Sequence, residues 1–172
     1  NKLLFLSSFI LALFVSSKSL AQISTVPSVD VAKYLGTWYQ ISHNPLKFEG
    51  ECACSIQKLA TTAASGQVSV VNSCNDKTPS GPLRSISGTA TSDDPVSNSK
   101  FSVDFGFPRK GEYWIIGLAA DYSYAVVTDS RGDSLYILSK TPTLDPVLYQ
   151  EALTKAQTQV DRHRPVRGVD AV

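Results

Sequence analysis

Three cysteines are the residues best equipped for chemistry in this chain, and two of them stand one residue apart, in Cys52-Ala53-Cys54, with Cys74 further on. A Cys-x-Cys pair can hold a soft metal or cycle as a dithiol. Redox pairs usually carry two intervening residues, however, and no His, Asp or Cys cluster sits near this one in sequence. A structural disulfide from Cys52 or Cys54 to Cys74 fits better, and the odd count leaves one thiol over. His43 could ligate a metal, but a lone histidine makes no site, and neither a metal nor a cofactor is expected. Arg131-Gly132-Asp133 matches an integrin tripeptide and is equally ordinary turn composition; it is read as a turn. No Ser-His-Asp order, no paired acid–base carboxylates and no activated nucleophile stand out, so the chain reads as a binding protein rather than an enzyme.

The 172 residues suffice for one domain with a real core. A net charge of +1, with 18% of residues charged, removes the electrostatic case for nucleic acid or for an anionic membrane surface. Peripheral membrane contact without a lipid anchor stays open, and oligomeric state is not legible. At the N-terminus, Lys2 precedes a nearly all-apolar run over 3–15, and Ser19 and Ala21 stand at −3 and −1 of a cleavage point. That is the layout of a secretory signal, too short to span a bilayer comfortably. No Cys follows the run to carry a lipid anchor. Residues 1–21 are therefore expected to be a signal peptide and 22–172 a single exported domain, soluble in the periplasm or outside the cell after cleavage near Ala21. Export is also the setting in which a disulfide persists.

The elements that must position these residues are mostly strands. Asp30 caps a short helical turn, Gly36 breaks it, and Thr37-Trp38-Tyr39-Gln40-Ile41 starts a strand over 37–43. Further strands are expected over 53–60, 67–72, 83–91, 100–107, 113–118, 124–128 and 134–140, with polar, Gly- or Pro-containing loops between them. Residues 100–107 alternate apolar with small or charged side chains most strictly. Asp145-Pro146 then opens a helix with Leu148, Tyr149, Ala152, Leu153 and Ala156 on one stripe, and a last short strand is expected near Val166. Eight sequential strands with short connections suit an antiparallel up-and-down barrel, which removes exposed edges and can hold one small ligand. A large indole such as Trp38 at the start of the first strand can plug one end, although a plain core aromatic is the simpler use.

Three segments carry a resemblance. Gly36-Thr37-Trp38-Tyr39 resembles the first motif of the lipocalin family, Ala120-Asp121-Tyr122-Ser123-Tyr124-Ala125 is similar to the second, and Ile137-Leu138-Ser139-Lys140-Thr141-Pro142 looks like the third. Within the family the pattern resembles the bacterial outer-membrane lipocalins and apolipoprotein D. The resemblance implies an eight-stranded barrel with one outer C-terminal helix, and structural roles for Gly36, Trp38, Asp121, Tyr122 and Lys140. In the family an Arg occupies the position of Lys140, lying across the Trp and bonding backbone carbonyls. Lys can place a cation over the indole, worth about 1 kcal/mol, but lacks the planar fork. The implied closure is therefore looser.

Strand alternation puts Trp38, the Asp121-Tyr122 corner and Lys140 at one end of the barrel, and Cys52, Cys54 and Cys74 at the other. Both Cys52 and Cys54 have the parity to reach Cys74, and closing a loop of about twenty residues contributes roughly 3 kcal/mol. By alternation, and by similarity to family cavity positions, Val68, Val70, Ile86, Gly88, Ala90, Phe101, Val103, Phe105, Tyr113, Val127 and Tyr136 should face inward, with Asn72 beside them. Such a lining suits an acyl chain, sterol or isoprenoid with its polar end near the mouth, gated by loops 43–51, 75–82, 107–111 and 129–133. The expected function is binding, and storage or transport, of a small hydrophobic ligand such as a fatty acid, lysophospholipid, sterol or isoprenoid. The alternatives are a lipid- or isoprenoid-directed enzyme on the same fold, and a filled barrel that binds another protein through its loops.

Overall fold

Strict alternation in Lys100-Phe101-Ser102-Val103-Asp104 becomes a strand with Phe101 and Val103 buried and its other residues half-buried. The same rule builds most of the chain. The computed structural model describes residues 23–44, 52–160 and 167–168. The expected signal segment, most of the 43–51 loop and the start of the expected last strand lie outside them. In chain order the elements are α1 (Val31–Tyr34), β1 (Gly36–His43), β2 (Cys52–Thr61), β3 (Gln67–Asp76), β4 (Leu83–Ser92), β5 (Lys100–Asp104), β6 (Gly111–Leu118), β7 (Tyr124–Thr128), β8 (Leu135–Ser139), α2 (Pro146–Gln159) and β9 (Arg167–Gly168).

Each of the first seven strands pairs antiparallel with the next, and β1 closes the ring by pairing with both β8 and β2. Strand β1 divides its edge: Gly36 to Tyr39 run beside β2, while β9 takes up Ser42 and His43 where that pairing has ended. The eight-stranded barrel expected from the sequence is the fold observed, with α2 packed outside it.

Two apolar clusters follow from the alternation. The inner one fills the barrel and includes Trp38, Val70, Phe101, Ile115, Val127 and Leu138. The outer one lies between β6–β8 and α2 and includes Ile116, Tyr124, Val126, Ile137, Ala152 and Ala156. Strand β7 is buried at every position because its two faces serve different cores: Ala125 and Val127 point in, Tyr124 and Val126 point out. Asp145 caps α2 by accepting from the Val147 and Leu148 amides at 2.8 and 3.4 Å. The helix lies close: a Cβ on Gly117 would stand 3.1 Å from Lys155 Cδ.

The strands differ from expectation mainly at their ends. Strand β3 runs on to Asp76, beyond the expected 72. Strand β5 stops at Asp104, short of 107, because Gly106 adopts φ +81° and donates its amide to Asp104 Oδ1 at 2.8 Å. Phe105 therefore leaves the ladder and folds across Gly88, where an added Cβ would fall 2.6 Å from Phe105 Cδ1 and against the Asp104 carbonyl oxygen. Gly88→Ala should lower stability by about 1–3 kcal/mol through this overpacking. The midpoint of urea unfolding checks it, and an unchanged midpoint would show that Phe105 is not held over that residue.

Candidate functional site

The base of the barrel is built from the three motif segments. Asp30 caps α1, accepting from the amides of Ala32 and Lys33. Trp38 is fully buried and donates its indole N–H to the Tyr34 carbonyl at 2.8 Å. Lys140 Nζ lies 4.1 Å from the centroid of the indole ring and donates to the carbonyls of Tyr34 and Leu35 at 3.2 and 2.6 Å. Burial pushes the Lys140 ammonium pKa below its ordinary value. The backbone N–H of Lys140 donates to the Ser123 carbonyl, and the Tyr122 phenol accepts from the Asp30 amide. The corner holds Tyr122 at φ +63°, a region that bulky residues rarely visit. Thus one lysine nitrogen reaches both the indole and two carbonyls, the contacts that the resemblance gave to Arg.

A column of polar side chains rises from this base. The Tyr34 ring stands 4.8 Å from the Trp38 ring, and its hydroxyl is 2.8 Å from that of Tyr113. Tyr113 donates to Gln57 Oε1 at 2.9 Å, and Gln57 Nε2 donates to Asn72 Oδ1 at 3.3 Å. Burial, the largest cause for each, pushes both phenols above their ordinary range, so both are neutral at physiological pH.

Beside the column lies an apolar crevice. Val68, Val70, Ala90, Phe101, Val103 and Tyr113, all expected to face inward, line it. Val127 is in the inner cluster, and Phe105 and Tyr136 pack against that cluster. Ile86, paired with Asn72, is half-buried and does not line the crevice. Sequence reasoning missed Val29, Val31, Tyr34 and Leu35, which come from the segment crossing the base, and Gln57 and Leu59 on β2. The β2 pair was hidden by a register shift between Ala53 and Ile56, where Cys54 takes φ +52°, so parity counted from the cysteines does not reach Gln57. The crevice measures about 20 Å³, or about 400 Å³ of free space when its open side is included.

At the opposite end a Cys52–Cys74 disulfide joins β2 to β3, with the Cα atoms 5.5 Å apart, which settles the choice between Cys52 and Cys54. Cys54 is free and buried. His43 Nδ1 lies 2.7 Å from the Asn44 carbonyl oxygen, and no metal-ligating cluster occurs among the described residues. The Arg131-Gly132-Asp133 turn is held by Asp129, whose carboxylate accepts from the amides of Arg131, Asp133 and Ser134. Arg131 pairs with Asp133 at 3.0 Å, so the tripeptide's charges face each other.

A lipocalin-like domain model matches residues 29–163. The chain belongs to the lipocalin family. It is 34% identical to apolipoprotein D of Bos taurus over 146 residues, covering 77% of this chain and 74% of that one. The outer membrane lipoprotein Blc of Escherichia coli K12 is 30% identical over 137 residues (78% and 75%), and temperature-induced lipocalin-1 of Arabidopsis thaliana 27% over 143 residues (78% and 75%). Among solved structures, insecticyanin from the tobacco hornworm Manduca sexta superposes with a TM-score of 0.71 at 20% identity, over 90% of this chain and 87% of that one. That likeness shows the fold. The resemblance drawn from the three motifs therefore holds.

Two measurements test this lipocalin's ends. Lys140→Met removes a cation over the indole and two charge-assisted bonds, and should cost about 2–3 kcal/mol in urea unfolding, whereas Lys140→Arg should keep or raise stability. Equal losses in both variants would count against the lysine's role at the base. At the mouth, a thiol reagent should label nothing in the native protein and one cysteine per chain after denaturation, with Cys54 carrying the label in a peptide map.

Proposed function

We propose that this lipocalin is an exported protein that binds, and stores or transports, a small hydrophobic molecule of the fatty acid, lysophospholipid, sterol or isoprenoid type. The observation that carries the proposal is the interior crevice: carbon-lined, bounded by Tyr34 and Leu35 of the segment crossing the base, and open on one side. Val68, Val70, Ala90, Phe101, Val103 and Tyr113 would contact the ligand, with Phe105, Val127 and Tyr136 in or against the inner cluster around them and Ile86 apart from the crevice on β4. Export rests on the signal-like segment over 1–21, the disulfide and the relatives named as lipoproteins or apolipoproteins. Among the described residues no helix is long and apolar enough to cross a membrane.

The size of the crevice bears on how binding happens. A water needs about 10–15 Å³ by the same kind of measure, and pockets for drug-sized ligands run to about 300–1,000 Å³. A ligand therefore enters by turning inner side chains aside, with Phe101 the largest of those lining the space from β2–β5. The same narrowness favours a second reading, a filled barrel that acts through its surface loops.

Native mass spectrometry with organic extraction, on protein purified from its exported form, separates the two. A bound lipid, isoprenoid or pigment is the outcome expected of a carrier. An empty barrel whose Trp38 and Trp114 fluorescence is not quenched by long-chain fatty acids or retinoids would leave the filled-barrel reading standing.

A further inference from the structure

We propose that the hydrogen-bonded bar Tyr34–Tyr113–Gln57–Asn72 reads the polar end of the ligand, and that it selects lipids bearing a neutral hydroxyl or carbonyl over lipids bearing an ionised carboxylate. The proposal deepens the carrier reading and rests on it.

The bar is placed to do this. In the closed ring β2 and β6 lie four strands apart, on opposite sides, so the bond from Tyr113 to Gln57 crosses the full width of the barrel. Gln57 pairs with Trp38 across β1 and β2, so the bar crosses the barrel beside the Trp38 floor. Tyr34, Gln57 and Tyr113 also line the crevice, chiefly through their carbon atoms, with their polar atoms engaged in the bar just behind it.

The chemistry of the bar is neutral and exchangeable. Tyr113 gives its only proton to Gln57, so Tyr34 must donate to Tyr113. Gln57 uses one of its two amide protons on Asn72, and the Asn72 amide group donates to no described residue. The mouthward end thus keeps spare N–H donors, while the phenol oxygens keep lone pairs. A hydroxyl or carbonyl can take the place of one link and leave every buried polar atom paired.

A carboxylate finds no equivalent. None of the residues lining the crevice is Lys, Arg or His. The ammonium of Lys140 at the base stands over the Trp38 indole and is bonded to the Tyr34 and Leu35 carbonyls. An ionised head would shed its water and gain only neutral donors, whereas an alcohol loses less hydration and recovers it in hydrogen bonds. This orients the ligand with its polar end inward and its hydrocarbon toward the mouth, the reverse of the orientation expected from the sequence.

Retinol and retinoic acid share one polyene and differ in the head group, so they make a matched pair of probes. Tryptophan quenching at neutral pH on the full mature protein should show retinol binding at least about tenfold more tightly than retinoic acid. Gln57→Leu and Tyr113→Phe should each weaken retinol about three- to tenfold and leave retinoic acid nearly unchanged. Binding of N-phenyl-1-naphthylamine, which has no acceptor of this kind, reports an intact cavity in each variant. Retinoic acid binding as tightly as retinol to the wild-type protein overturns the proposal, as does a preference that survives both substitutions while the dye still binds. If wild-type protein binds neither retinoid nor the dye, the carrier reading falls and takes this proposal with it. Dye binding without head-group preference removes this proposal alone.

Discussion

One carbonyl group, that of Tyr34, receives both the Trp38 indole N–H and the Lys140 ammonium, and the floor of the barrel depends on that shared acceptor. It lies at the C-terminal end of a four-residue helix, too short to be stable by itself. The helix persists because Asp30 caps one end and the indole and ammonium hold the other. In return it fixes the indole at the start of β1, where a large flat group can close the ring. The three motif segments are far apart in sequence and are one hydrogen-bonded assembly in space, since Lys140 also bonds Ser123 and Tyr122 bonds Asp30. Lys in place of Arg changes the number of donors but keeps the cation over the ring.

Much of this was legible because its physics is local. Alternation in β5, the Asp145-Pro146 start of α2 and the order of the motifs need only neighbouring residues, and they place the strands and the two ends correctly. What escaped depends on the third dimension. Gln57 is polar, on a strand whose parity is broken by a bulge at Cys54, and nothing in sequence says that it meets Tyr113 across the barrel. Tyr34 looks like part of a connecting turn until the turn is folded under the barrel. The choice of Cys52 over Cys54 likewise turns on the bulge, which the two-residue spacing conceals. Phe105 was assigned inward correctly in direction but for the wrong reason: it packs over Gly88 after the strand has ended, rather than as the next rung of it.

The two halves of the barrel are built unequally, and this decides where a ligand can be accommodated. Strands β6–β8 have apolar side chains on both faces, the inner set in the barrel and the outer set under α2. Moving that wall would disturb two cores at once, and close-packed interiors resist such displacement. Strands β2–β5 have only the inner core; their outer faces carry residues such as Lys58, Ser69, Ser87 and Ser102. The crevice lies against this second half, lined by Leu59, Val68, Val70, Ala90, Phe101 and Val103. There an inner side chain that turns aside breaks one set of contacts and no second layer lies behind it. The rigid half, by contrast, carries Tyr113, so that end of the polar bar keeps its place while the space beside it opens. A nearly closed barrel can open to a ligand through this division: a doubly packed wall anchors Tyr113, and a singly packed wall yields.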